Sequence, residues 1–275
     1  MAPGVLPADL RRASMLERIQ REGGASIAEL ARDYGVSQIT VHRDLERLGR
    51  DGLIERVHGG ARLPGSGPRA LRVPTDWTKR LEQSLPEKEA IAARAADFVE
   101  DGSTIFVDSS TTCLVLARHL ERHPPRALTL VTNSPAIAGE LHAQSIHVIV
   151  TPGEVDQTLH MIGGRWSAEF LAGLNLETAF VSAGGITLEN GLTTTRRALA
   201  DTLKAASASA AKTIGLMDSS KFGLSALLSI ARAEELDAVV VDDGLPRQTV
   251  EAYEAAGVNL ILAERSQAAA PTTTA

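Results

Sequence analysis

Apolar positions recur at helical spacing through the first sixty residues, and after Glu87 they give way to brief apolar runs separated by helical stretches. Leu10, Ala13, Leu16, Ile19 and Gln20 give residues 8–21 a partial stripe and predict an opening helix. Ser26-Ile27-Ala28-Glu29 then reads as a capping box, in which each polar end satisfies a free backbone donor of a first helical turn. Ile27, Leu30 and Ala31 continue at helical spacing, and Gly35 supplies the left-handed residue that commonly ends a helix. Ser37 caps a second helix running to about Arg50, with Val41, Leu45 and Leu48 on one buried stripe. Ile39, Arg43, Glu46, Arg47 and Arg50 point away from that stripe, which leaves a polar face free. Gly52 stops the helix, Leu53 to Val57 reads as a strand, and His58-Gly59-Gly60 reads as a tight turn into Ala61-Arg62-Leu63. Two helices joined by a short turn, with a polar face on the second and a two-stranded flap behind, form the layout that puts a recognition helix in the major groove.

Residues 64–86 carry Pro64, Gly65, Gly67, Pro68, Pro74 and Pro86, and are read as a linker. Trp77 lies within it and is expected to dock on one of the two flanking domains. From Glu87 a helix leads to the strand Ile105-Phe106-Val107, and further short strands follow at Leu128–Val131, Ile146–Val150, Ala179–Val181, Thr213–Met217 and Ala238–Val241, with Val258–Leu262 closing the set. Strands alternating with helices predict a mostly parallel sheet covered on both faces. The fold class is therefore α/β: a winged helix-turn-helix domain over 8–63, the linker, and a mostly parallel α/β domain over 87–263. Residues 264–275, ending AAAPTTTA, are read as a low-complexity disordered tail.

Composition narrows the class further. The 275 residues are 44% hydrophobic and 23% charged, as in a soluble globular protein. No run approaches the roughly 20 apolar residues of a membrane helix, and the N-terminus lacks the pattern of a secretion signal. The single cysteine, Cys113, excludes an internal disulfide framework and suits a reducing cytoplasm. A net charge of −6 is unusual for a DNA binder, but residues 1–62 hold 10 Lys+Arg against 9 Asp+Glu, so the acidity lies in the second domain. A neutral DNA-binding domain predicts modest affinity per monomer, with a homodimer or higher homo-oligomer supplying the rest.

In parallel α/β sheets ligands bind beyond the carboxyl ends of the strands, and those ends hold the informative residues here. Asp108-Ser109-Ser110-Thr111-Thr112 follows a strand and opens a helix, so its hydroxyls and free amides suit an anion such as phosphate, although an ordinary Ser/Thr cap fits equally well. Asn133-Ser134, Gly184-Gly185, Lys204 and Lys221 are weaker candidates; a solvated loop is the commoner role for such a lysine, and a tight turn for such glycines. No Ser-His-Asp order, Cys-His pair or metal-ligand cluster stands out, so neither a catalytic set, nor a cofactor, nor a metal is expected.

Two motif sets in a fixed order resemble one family. Leu30-Ala31, Gly35-Val36-Ser37, Thr40-Val41-His42-Arg43-Asp44-Leu45, Leu48, Gly52-Leu53 and Arg56-Val57-His58-Gly59-Gly60-Ala61 resemble the DeoR-type bacterial transcriptional regulators. Glu87-Lys88, Ile105-Phe106-Val107-Asp108-Ser109, Val131-Thr132-Asn133-Ser134, Gly153-Glu154-Val155, Gly191-Leu192-Thr193-Thr194 and Asp218-Ser219-Ser220-Lys221-Phe222-Gly223 resemble the effector domain of the same family. The resemblance implies a double-stranded DNA operator as partner. It also implies an effector domain like ribose-5-phosphate isomerase, whose ligand is a phosphorylated sugar or related anion. It puts Ser37, Gln38, Ile39, Thr40, His42, Arg43 and Arg47 at the groove, Arg56 and His58 on the wing, and Asp108, Ser109, Ser110, Thr111, Thr112, Asn133, Ser134, Gly184, Gly185, Lys204 and Lys221 around the effector. The expected function is a cytoplasmic repressor of a carbohydrate operon. The alternative is a sugar-phosphate aldose–ketose isomerase with an appended winged domain. His42 stands where the family more often has Arg, and Ile39 where a polar residue is common. The acidic cluster expected after Thr194 is replaced by Thr195 to Ala200, leaving Asp201 as the carboxylate before Lys204. An isomerase needs a positioned carboxylate to move a proton, so this loss points to binding without turnover.

Overall fold

A computed structural model describes residues 7–22, 24–57, 60–62 and 77–265. The wing turn at His58-Gly59, the stretch 63–76 and the tail from 266 lie outside the described residues. The chain divides into two compact units, Met1–Ala70 and Leu71–Ala275.

In the first unit α1 (Ala8–Glu22) precedes β1 (Gly24–Ser26), α2 (Ile27–Tyr34), α3 (Gln38–Arg50), β2 (Glu55–Val57) and β3 (Gly60–Arg62). The capping box forms as its residues dictate: the Ser26 hydroxyl accepts from the Glu29 amide at 3.2 Å, and the Glu29 carboxylate accepts from the Ser26 amide at 2.9 Å. Gly35 closes α2 at φ 61°, and Ser37 accepts from the Thr40 amide at 3.2 Å to start α3. Val41, Leu45 and Leu48 pack with Met15, Ile19, Leu30 and Ile54. The expected stripe on α1 needs correction. Leu10 and Ala13 are exposed, and the buried face is Arg11, Met15 and Ile19. Arg11 is inside because its guanidinium meets Asp44 of α3 at 2.7 Å, with both side chains less than 10% exposed. The wing also gains a strand that periodicity did not predict. β1 pairs antiparallel with β3, giving the order β1-β3-β2. Gly60 permits that approach, since a Cβ there would collide with the Ala25 carbonyl.

The second unit opens with α4 (Trp77–Glu82) and α5 (Leu85–Ala95). The stretch read as linker is therefore helical from Trp77, because Trp77, Leu81 and Leu85 pack against the apolar cluster of this unit. There follow β4 (Thr104–Val107), α6 (Thr111–Arg122), β5 (Leu128–Thr132), α7 (Pro135–Glu140), β6 (Ile146–Val150), β7 (Glu154–Asp156), β8 (Met161–Gly163), α8 (Arg165–Ala172) and β9 (Leu176–Val181). The chain continues through β10 (Gly185–Thr187), β11 (Gly191–Thr194), α9 (Arg197–Ala208), β12 (Ala210–Leu216), β13 (Leu228–Ala231), β14 (Ala238–Asp242), α10 (Arg247–Ala255) and β15 (Leu260–Ala263). Seven parallel strands form one sheet in the order β15-β14-β12-β9-β4-β5-β6. Alternate residues of each strand enter opposite layers. Ile105 and Val107 pack with Ile91, Leu116 and Leu120 on one face, and Phe106 packs with Leu171, Leu203 and Tyr253 on the other. Burial on both faces is why these strands read as continuous apolar runs. Two small antiparallel sheets, β7-β8 and β10-β11-β13, were not expected. Their glycine-rich and threonine-rich segments carry no alternating apolar signal.

The strand order turns around between β4 and β9. From β4 the chain builds outward through β5 and β6, and from β9 it builds the opposite way. A crevice opens beyond the carboxyl ends of the two strands at such a reversal.

Candidate functional site

Asp108 stands at that reversal. Its carboxylate accepts from the Ser110 amide on its own loop and from the Ser182 amide beyond β9, both at 2.6 Å, and so ties the two strand ends together. Burial pushes its pKa up, opposed by the hydrogen bonds from Ser110 and Ser182. Next to it Thr132 donates to the Val107 carbonyl at 2.7 Å, which sets the β5 end, and with it Asn133, beside Asp108. On the other flank Lys221 donates to the Ser182 hydroxyl at 3.1 Å and lies 3.8 Å from the Asp218 carboxylate. Asp218 caps the short turn Ser219–Lys221, and Phe222 after it packs edge-on against Tyr253, which anchors the loop in the core.

The candidates divide once their partners are known. The Ser110 hydroxyl accepts from the Cys113 amide at 3.1 Å, and the Ser134 hydroxyl accepts from the Ile137 amide at 3.3 Å. Those two are helix caps. Thr111 donates to the Arg80 carbonyl at 3.4 Å, and Ser109 is buried in the same loop. Among the described residues, the Thr112 hydroxyl, both amide atoms of Asn133 and the Thr151 hydroxyl are buried with no hydrogen-bond partner. Buried polar atoms are rarely left so; Asn133 and Thr151 follow the ends of β5 and β6, and Thr112 lies in the first turn of α6. Gly184 and Gly185 have parts in the fold. Gly184 donates to the Thr193 carbonyl at 3.0 Å, and a Cβ on Gly185 would strike the Leu224 backbone. Lys204 is exposed on α9.

Two cations that periodicity did not single out complete the cluster. Lys88 on α5 is 3% exposed, and its ammonium donates to the Arg80 and Gln83 carbonyls. Burial, reinforced by the nearby Lys221 and Arg80, lowers its pKa to about 8, against the opposite pull of Asp218 and Glu87. Arg80 on α4 has its Nε and Nη2 buried without an acceptor, and burial lowers its pKa while the Asp108 charge raises it. Lys88 carried a signal in the Glu87-Lys88 motif. Arg80 carried none, because its helix is too short to show a period.

On the first unit, Ser37, Gln38, Ile39, His42, Arg43, Glu46, Arg47 and Arg50 are exposed and Thr40 half-buried, whereas Val41, Asp44, Leu45 and Leu48 face inward. Ile39 is 67% exposed. Arg56 lies on β2, and His58 is outside the described residues.

Comparisons with known proteins match both units. Residues 11–66 fit the DeoR-like helix-turn-helix domain, and residues 83–243 fit the DeoR C terminal sensor domain. The chain is 31% identical over 255 residues to the HTH-type transcriptional regulator GolR of Listeria innocua, covering 92% of this chain and 98% of that one. It is 32% identical over 259 residues to the regulator GlpR of Haloferax volcanii, covering 94% and 98%. The glycerol-3-phosphate regulon repressor of Escherichia coli is 30% identical over 233 residues, covering 84% and 90%. Among solved structures, ribose 5-phosphate isomerase from Plasmodium falciparum is 16% identical with a TM-score of 0.36, covering 49% of this chain and 52% of that one. The translation initiation factor eIF-2B of Pyrococcus horikoshii OT3 is 16% identical with a TM-score of 0.43, covering 85% and 82%.

Proposed function

The chain belongs to the DeoR family of transcriptional regulators, and on that premise we propose that it is a repressor of a carbohydrate operon, released from its operator by a phosphorylated sugar. The observation that carries the effector half is the group of buried, unpartnered atoms on Thr112, Asn133, Thr151 and Arg80 beside the cations Lys88 and Lys221. Unfilled donors next to desolvated positive charge favour an anion that supplies several acceptor oxygens, and phosphate does so at low cost in reorganisation. Asp108 is a poor proton-transfer base, since both its oxygens already accept backbone amides. Asp201 is paired with Arg197 at 2.9 Å on the exposed side of α9. Ligand binding without turnover is the reading these carboxylates support.

For the DNA half, the exposed row of Arg43 and Arg47, with Ser37, Gln38, Ile39, Thr40 and His42 at its edge, is proposed to enter the major groove. Ile39 is suited to a thymine methyl. Arg56 and, from the sequence, His58 are assigned to backbone contacts by the wing. Binding as a dimer to paired half-sites compensates for the weak charge of a single winged unit. The Lys221, Lys88 and Asn133 positions are assigned to the effector.

The test is a fluorescence titration of the full chain against DNA upstream of its own gene at fixed salt, with and without a panel of phosphorylated sugars. Specific binding relieved by one panel member is the expected result, and Arg43→Ala should weaken the ligand-free affinity by roughly tenfold to a hundredfold. Equal affinity for Arg43→Ala removes the recognition-face assignment, and absence of any specific binding removes the repressor reading.

A pH dependence follows from Lys88. Its charge fades as pH rises through about 8, while a phosphate ester stays doubly ionised. The effector's affinity should therefore fall between pH 7.5 and about 9, in a field set by Lys221, Arg80, Asp218 and Glu87. Calorimetric titration across that window checks the sign. A flat profile for Lys88→Gln beside a falling one for the parent is the expected pair, and a flat parent profile removes Lys88 from the site.

A further inference from the structure

α4 is six residues long, yet separate contacts pin it from both ends. At its start the Trp77 ring stacks on His160, with centroids 4.8 Å apart and planes 18° apart. His160 lies between β7 and β8 at φ 53°, a conformation that a non-glycine residue keeps only where its surroundings stabilise it. Toward its end the Lys88 ammonium donates to the Arg80 and Gln83 carbonyls, and Thr111 in the first turn of α6 donates to the Arg80 carbonyl at 3.4 Å. Arg80 belongs to the same short helix, and its guanidinium has Nε and Nη2 buried and lacking an acceptor. Those two nitrogens form one edge of the guanidinium fork, the edge that grips a carboxylate or phosphate through two parallel bonds. A buried charged donor left without an acceptor is destabilising, so the empty fork is a feature that a bound anion relieves.

We propose that α4 is a ligand-reading strap: Nε and Nη2 of Arg80 take two oxygens of the effector's anionic group, and filling that fork fixes the helix through which the chain leaves the sensor unit toward the winged unit. This rests on the effector reading above and adds the residue that reads the anion and the element that carries the signal out. The chain runs from β3 through residues 63–76 into Trp77, so α4 is the first described element of the second unit along the chain from the winged unit. A ligand that binds better when α4 is held biases the equilibrium between strap positions by its difference in affinity.

The molecule contains its own reporter. It has two tryptophans, Trp77 and Trp166, and Trp166 is 65% exposed on α8. In the full-length Trp166→Phe chain, emission comes from Trp77 alone. Inorganic phosphate, ribose 5-phosphate and glycerol 3-phosphate would be titrated in turn, following emission and binding heat in parallel. The expected result is a Trp77 emission change that saturates with the same midpoint as the heat. Arg80→Lys keeps the charge but loses the fork, and should weaken that midpoint by about tenfold or more. Trp77→Ala in the wild-type background should retain the binding heat and lose the ligand-driven release of DNA. Thermal melts of the variants establish that each is folded. Heat with no change in Trp77 emission, a midpoint for Arg80→Lys equal to the parent's, or full DNA release by Trp77→Ala each overturns the strap while leaving the effector reading in place. No heat from any of the three probes overturns both.

Discussion

Asp44→Ala is expected to unfold the N-terminal unit at or near room temperature and to abolish DNA binding with it. Asp44 sits on the recognition helix but faces inward, 4% exposed, with Arg11 at 2.7 Å and Arg12 at 3.4 Å. Arg11 is itself buried, so removing the carboxylate takes away the charge that Asp44 sets against a desolvated guanidinium. Breaking a buried pair from one side costs about 3–5 kcal/mol. A winged unit of this size holds no more than about 5 kcal/mol in all, because a small domain buries a smaller share of its surface. One substitution thus removes most of its stability. Urea unfolding followed by circular dichroism should show an early transition for the winged unit and an unshifted one for the sensor unit. Replacing both partners with apolar residues, Arg11→Met with Asp44→Leu, should recover much of the loss, since the desolvation cost disappears with the charges. A single variant that unfolds at the parent's midpoint would mean that the pair is solvated in solution and the packing of α1 on α3 is wrong.

Asp108→Asn should lower the sensor unit's stability by about 2 kcal/mol or more and eliminate the effector response. The substitution is nearly isosteric, which makes its effect interpretable. The carboxylate accepts two backbone amides at 2.6 Å, one through each oxygen. Asparagine has one oxygen, so either the Ser110 or the Ser182 amide then faces another donor. The tie between β4 and β9 loosens, and Ser182 carries the hydroxyl that receives Lys221. Removing the charge also takes away the field that favours ionised Arg80. Chemical unfolding measures the first effect, and the operator titration with effector measures the second. A variant with parent-like stability and a normal response would show that the carboxylate is a bystander.

Ser110 and Asn133 show how far a linear reading reaches. Both follow a strand in a short polar run, and both lie beyond the strand ends, as that run implies. Their roles differ for a reason the run does not contain. The Ser110 hydroxyl finds a local partner three residues on, in the Cys113 amide, as helix-start geometry provides. Asn133 has no such neighbour and remains unpartnered at 0% exposure. Arg80 and Lys88 illustrate the reverse. Neither lies at a strand end, and they join the cluster because α4 and α5 fold back over it, with Lys88 donating to the carbonyls of α4.

What the sequence determined by itself was everything carried by local periodicity and capping: the two helices of the winged unit, their exposed and buried faces, the runs that become the parallel strands, and the loops at their ends. These follow from backbone donors and apolar spacing within a few residues, so they are written in consecutive positions. The tertiary structure alone decided the inward turn of Asp44 toward Arg11, the third wing strand, the attachment of α4 to the sensor unit, and the gathering of Arg80, Lys88 and Lys221 beside Asp108. Each of these depends on partners at least thirty positions apart or on a desolvated environment, and neither leaves a period in the chain.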